Sequence, residues 1–171
     1  EKQAIKFKLS ISIIKEGSRY VAYAPALDLS SSGKTAAHAK KRFIEAAGIF
    51  FEEISKKGTF GIVLRNLGWK RVNSIWSPPK IVASETELFC VTVEIMGIRP
   101  IHWKKFEKFL LFVGCSFERE KGDHRIYWRE GLSRPVVISR DEQMPIFVVR
   151  NNLRLLDIDT KNYLEILEKI K

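Results

Sequence analysis

The sequence predicts an α+β protein of two small halves, βββαβ over residues 1–95 and αβββα over residues 96–171. Three observations carry this. Short apolar–polar stretches are separated by glycine-containing turns, one long amphipathic segment follows the first three of them, and shorter apolar helical segments bracket the second three. With 171 residues and 45% hydrophobic side chains, the chain can build one medium core or two small ones.

Ile5 to Ile14 places apolar side chains at every second position (Ile5, Phe7, Leu9, Ile11, Ile13), the pattern of a half-buried strand. Glu16-Gly17-Ser18-Arg19 is a hairpin turn and Tyr20 to Ala24 the returning strand, ended by Pro25. Leu27 to Ser32 supplies a short third strand. Thr35 N-caps a helix over Ala36 to Lys57, in which Phe43, Ala46, Ala47, Phe50, Phe51 and Ile54 recur at helical spacing. Glu45, Glu52 and Glu53 fall to its polar side, and Lys40-Lys41-Arg42 reads as a solvated basic run. Residues 59–85 are irregular, apart from a short helix over Leu64 to Trp69. Glu87 to Ile95 reads as a fourth strand.

The second half opens with a helix from Ile101 to Val113, stopped by Gly114. Strands Phe117–Lys121 and His124–Arg129 are joined by Gly122-Asp123, and Gly131 turns the chain into Pro135–Ser139. A helix over Pro145 to Leu156 follows, then a last one capped by Asp159 or Thr160. This order is a dsRNA-binding-like arrangement.

Net charge +10 points to a polyanionic partner, nucleic acid before membrane. Residues 1–95 hold 15 basic and 9 acidic side chains, and residues 96–171 hold 15 and 11, so both halves are basic. No apolar run approaches the ~18 residues of a membrane span, and no signal peptide is visible. Cys90 and Cys115 sit in apolar runs without a Cys-x-x-Cys, so both read as buried thiols of a cytoplasmic protein.

His124 is the chief chemical candidate. Its side chain titrates near neutrality, and Gly122-Asp123 delivers it to the start of a strand rich in arginine and aromatics. Strict alternation places it on the face of Ile126 and Trp128, which look like core. The turn is expected to break that register. Lys121, Arg125, Arg129 and Arg134 crowd the same hairpins and are the expected phosphate contacts, with Arg119 and Arg140 nearby. His38 and His102 read as surface residues. No histidine pair at i, i+4 spacing, carboxylate set, phosphate-binding glycine loop or Ser-His-Asp pattern is present, so neither metal nor cofactor is expected.

Val21-Ala22-Tyr23-Ala24-Pro25-Ala26-Leu27-Asp28-Leu29-Ser30, followed by Gly33-Lys34-Thr35 and a helix carrying Ala39, resembles the HicB antitoxin family. Leu67-Gly68-Trp69 and Trp76-Ser77-Pro78-Pro79 resemble one branch of it. The resemblance implies a partial RNase H-like fold without nuclease activity. Residues 96–171 resemble HicA toxins, mRNA-cleaving ribonucleases on a dsRNA-binding-like fold. That match runs through Phe106-Glu107-Lys108-Phe109-Leu110, Val113-Gly114-Cys115, Gly122-x-His124-x-x-Tyr127 and Arg150-Asn151-Asn152-Leu153. It makes His124 the catalytic residue. Asp123 stands where the family has serine, and a carboxylate there either orients His124 and raises its pKa or repels RNA phosphate.

Together the resemblances imply a fused type II toxin–antitoxin protein. Its second half is a metal-independent ribonuclease acting on mRNA, and its first half masks it by an intramolecular or intermolecular contact. Homo-oligomers are left open. An antitoxin for a basic toxin is expected to be acidic, so masking by a half at +6 rests on shape and a local acidic patch with Glu52 and Glu53. Nothing in residues 59–95 reads as a helix-turn-helix, which argues against specific DNA binding. The rival reading is a non-catalytic RNA-binding protein with an interaction module.

Overall fold

The computed structural model describes residues 8–87 and 97–170. Strands β1 (Ser12–Glu16), β2 (Arg19–Ala24) and β3 (Leu29–Gly33) form an antiparallel sheet in that order. Helix α1 (Ala36–Lys56) starts where the Thr35 side chain accepts the His38 N–H, and lays Ala39, Phe43, Ala46, Ile49, Phe50 and Ile54 inward. Gly33 permits the close approach of β3 to α1, since a Cβ there would lie 2.4 Å from the backbone nitrogen of Ala39.

Three expectations for this half shift. The first strand begins at Ser12, with residues 1–7 outside the described part and 8–11 not in strand. The short helix α2 runs from Phe60 to Asn66, earlier than expected, because Gly68 at φ 79 turns the chain before Trp69. The stretch expected to be irregular contains a hairpin, β4 (Lys70–Val72) and β5 (Ile75–Ser77). Its turn residues Asn73 and Ser74 both take positive φ, 48 and 65, the geometry that matches strand twist in two-residue loops. The expected strand at Glu87 to Ile95 lies almost wholly outside the described residues.

The second half follows its expected order. It comprises α3 (Trp103–Phe112), β6 (Ser116–Lys121), β7 (His124–Trp128), β8 (Val136–Ser139), α4 (Ile146–Leu155) and α5 (Thr160–Lys169), with Asp159 capping α5. β6-β7-β8 is a second antiparallel three-stranded sheet, with a bulge between Phe117 and Arg119. The described residues thus form a mixed α/β structure of five helices and small antiparallel sheets.

Packing on the two faces of β6–β8 positions the site. Tyr127, Val136 and Ile138 join Phe106, Phe109, Val149, Leu153 and Tyr163 in a core made largely of the second half. Ile126, Trp128 and Val137, on the other face, join Ala22, Leu29, Phe43, Phe50 and Ile54 of the first half. One face of this sheet is therefore covered by its own helices and the other by residues from the other half of the chain.

Candidate functional site

His124 opens β7, paired with Lys121 of β6 and Ser139 of β8. The register that the turn was expected to break is intact, because pairing on both sides fixes which way each β7 side chain faces. His124 therefore shares the face of Ile126 and Trp128 and is 1% exposed. That face is the one that packs on the first half, so the histidine is buried at the seam and not inside its own half's core.

Its Nδ1 lies 3.8 Å from a Glu45 carboxylate oxygen of α1, the Arg42 backbone lies against the ring, and neither ring nitrogen makes a well-formed hydrogen bond. Burial lowers its pKa, with the Arg42 charge acting in the same direction and Glu45 and Asp141 opposing. Unfolded chain therefore takes up this proton first as pH falls, so the contribution to stability is complete above about pH 6.5 and declines on acidification. Melting temperature should drop between about pH 7.5 and pH 5.5, and drop less in His124→Gln. Equal slopes in thermal melts of the two proteins would show that the histidine is not held neutral.

Other charged residues of the second half pair across the seam. Lys121 meets Glu52 at 2.7 Å, and Arg119 meets Glu53 at 2.7 Å. The Trp128 indole N–H also donates to Glu53, at 3.3 Å. Hydrogen bonds from Lys121 and Lys56 hold the Glu52 carboxyl down to about 2. Burial alone pushes Glu53 upward, but the bonds from Arg119 and Trp128 outweigh it and its pKa is lowered. Arg134 is buried, donates to the carbonyls of Leu27 and Asp28, and pairs with the Asp28 carboxylate at 2.9 Å. Arg154 reaches the same carboxylate at 2.6 Å.

The other sequence candidates sit differently. Arg125 lies on the far face of β7, paired with Glu107 at 2.6 Å and Glu120 at 2.8 Å and stacked 4.2 Å from the Phe117 ring. Arg129 donates to the Leu156 carbonyl at 2.7 Å. The Asp123 carboxylate is held by Arg42 and Arg140, while the acid beside the His124 ring is Glu45. Lys121 and Arg134 thus face acids of the first half, whereas Arg125 and Arg129 engage groups of their own half.

Sequence reasoning missed a second polar centre. Asp141, 2% exposed, accepts from Arg19, Arg42 and the Ser32 hydroxyl. Arg42, expected in a solvated run, is buried because it turns inward to this acid, while Lys40 and Lys41 remain exposed. Nearby, the Glu16 carboxylate accepts the Ile146 and Phe147 N–H groups at 2.6 and 3.0 Å, where a carboxylate complements the positive end of α4. Ser30 donates to Asn151 at 2.8 Å. Cys115 is buried, which raises its pKa, and Cys90 lies outside the described residues. Among the described residues no group of three or more His, Cys, Asp or Glu is placed to hold a metal, and no helix is long and apolar enough to cross a membrane.

Residues 103–158 match the family model described as HicA toxin of bacterial toxin-antitoxin. The match spans α3 to the end of α4 and includes His124, Asp141 and Asn151. No curated protein and no solved structure matches the chain.

Proposed function

We propose that the chain is a self-masked toxin–antitoxin protein. Residues 96–171 act as a HicA-like, dsRNA-binding-like ribonuclease on mRNA, and residues 1–95 act as a HicB-like, partial RNase H-like domain that occludes it. The observation that carries this reading is the burial of His124, on a sheet face covered by the other half and ringed by acids. Glu45, Glu52, Glu53 and Asp28 stand against His124, Lys121, Arg119 and Arg134, as phosphates of an RNA strand would.

A histidine buried for structure alone normally satisfies at least one ring nitrogen. Here the ring lies against the Arg42 backbone and, at 3.8 Å, the Glu45 carboxylate without a well-formed hydrogen bond, a loose hold that favours a group kept for chemistry over the non-catalytic rival. Once uncovered, the neutral imidazole would take the proton of an RNA 2′-hydroxyl as its oxygen attacks the adjacent phosphorus. The 5′-oxygen leaves and takes up a proton, and a 2′,3′-cyclic phosphate remains. Lys121 and Arg134, with Arg119, are the phosphate contacts this face offers. Arg125 and Arg129 support the fold in the masked state.

The test is RNA cleavage by residues 96–171 with and without EDTA. Cleavage should be strong and unchanged by chelation, because the catalyst is a side chain. Binding without cleavage would establish the rival reading, and activity lost in EDTA and restored by Mg²⁺ or Mn²⁺ would establish a metal mechanism.

A further inference from the structure

A crevice of about 650 Å³ opens at the edge of the seam, between the β1–β2 turn, the start of α1 and the segment after β8. Arg19, Lys34, Arg42 and Arg140 line it against two acids, Asp141 and Glu142, so its wall carries a net charge of +2 with His38 neutral. His38 and Arg42 are spaced four apart along one side of α1, and Lys34 lies in the loop just before it. Asp141 is already engaged by Arg19 and Arg42, and Asp123 by Arg42 and Arg140. Lys34 forms no ion pair among the described residues.

A second observation points to a missing acceptor. The Nε–H groups of Arg19 and Arg42 are buried without a hydrogen-bond partner, and Arg42 as a whole is only 8% exposed. Buried donors are seldom left unpaired, and two of them belong to arginines of one crevice. The first turn of the 21-residue α1 adds the positive end of its dipole at Lys34 and His38. The surplus of cations and the two free Nε–H donors suit an oxyanion, with Asp141 already neutralised by Arg19 and Arg42. None of the lining residues is a tryptophan, tyrosine or phenylalanine on which a nucleobase could stack.

We propose that this crevice binds a small phosphorylated ligand through its phosphate or diphosphate group, with no base recognition. Lys34 and Arg140 form its outer contacts, and Arg19 and Arg42 its inner ones, once their guanidinium groups turn from Asp141 and bring the buried Nε–H groups toward the ligand. The inner pair is the one that clamps Asp141, so the ligand competes with the contact that holds the second half in place. The site thus links an anion to the strength of masking.

Calorimetric titration of the full-length chain with inorganic pyrophosphate, inorganic phosphate and ADP tests the binding without reference to RNA cleavage. Pyrophosphate should bind at least as well as ADP and more tightly than phosphate. Lys34→Glu, an exposed change in the loop before α1, should weaken pyrophosphate about tenfold or more with its melting curve unchanged. No binding of pyrophosphate by the wild type, or equal affinity in folded Lys34→Glu, overturns the site. Binding of ADP well above pyrophosphate overturns the ligand class. Because the readout is heat of binding, the ribonuclease assignment can fail while this site stands, and the reverse.

Discussion

Full-length protein carrying Glu45→Lys, Glu52→Lys and Glu53→Lys should cleave RNA about 10- to 100-fold faster than the wild-type chain. Magnitudes identify which acid matters most. Glu52 is partly exposed, and such an ion pair contributes only ~0.2–1 kcal/mol, while Glu45 faces an imidazole that burial keeps neutral. Glu53 is 2% exposed and bonded to both Arg119 and Trp128. Breaking one partner of a buried charge pair at an interface costs ~2–5 kcal/mol, and each ~1.4 kcal/mol is a tenfold change in the covered-to-open ratio. The tether keeps the mask at an effective concentration of about millimolar, so the loss must be of this size to matter. Glu53→Gln, which removes the charge and keeps the shape, should give a smaller release in the same direction. A folded triple variant with wild-type cleavage, beside an active second half, would show that α1 is not the mask.

Two basic halves can associate because their charges are exchanged locally in both directions. Acids of α1 take up cations of β6, while Arg19 and Arg42 of the first half take up Asp123 and Asp141 of the second. Net charge, summed over each half, hides this. The expected acidic patch at Glu52 and Glu53 was visible in sequence, but the burial of Glu53 was not, because it was assigned to the polar side of the helix. A signal was present. Ala39, Arg42, Ala46, Ile49 and Glu53 follow one another at three- and four-residue steps, so two charges sit inside an apolar stripe and need partners from another element. Helix and strand order was legible wherever periodicity and caps agreed, as at Thr35, Gly114 and Asp159. The β4–β5 hairpin escaped because its strands are three residues long, too short for periodicity to register. Asp141 offered little local cue, since Arg19, Ser32 and Arg42 lie about 100 residues or more away in the chain and only Ser139 is a near neighbour in sequence.

The register of β7 shows how a correct pattern led to a wrong expectation. Alternation placed His124 with Ile126 and Trp128, which look like core, and the turn was expected to break that register. They are buried, but against residues of the other half. A site can share a face with large apolar residues when that face serves as a docking surface.

His124→Ala should lower RNA cleavage by residues 96–171 about 10²- to 10⁴-fold, the usual contribution of a positioned acid or base. The catalytic and structural readings part on a second measurement. In the isolated second half the histidine's face is uncovered, so removing it should leave the melting curve nearly unchanged. RNA binding should persist, because phosphate affinity comes from Lys121, Arg119 and Arg134 and weakens with salt. Uncovering also lifts the desolvation that lowers the pKa of His124 in the full chain. Cleavage that depends on the neutral imidazole should then rise with pH through about 6.5, the ordinary value for histidine. In the full chain, where the ring fills space between β7 and α1, the same change should lower the melting temperature. A variant of the second half that stays folded and cuts as fast as its parent removes His124 from the mechanism. One that unfolds shows that the residue serves the sheet itself.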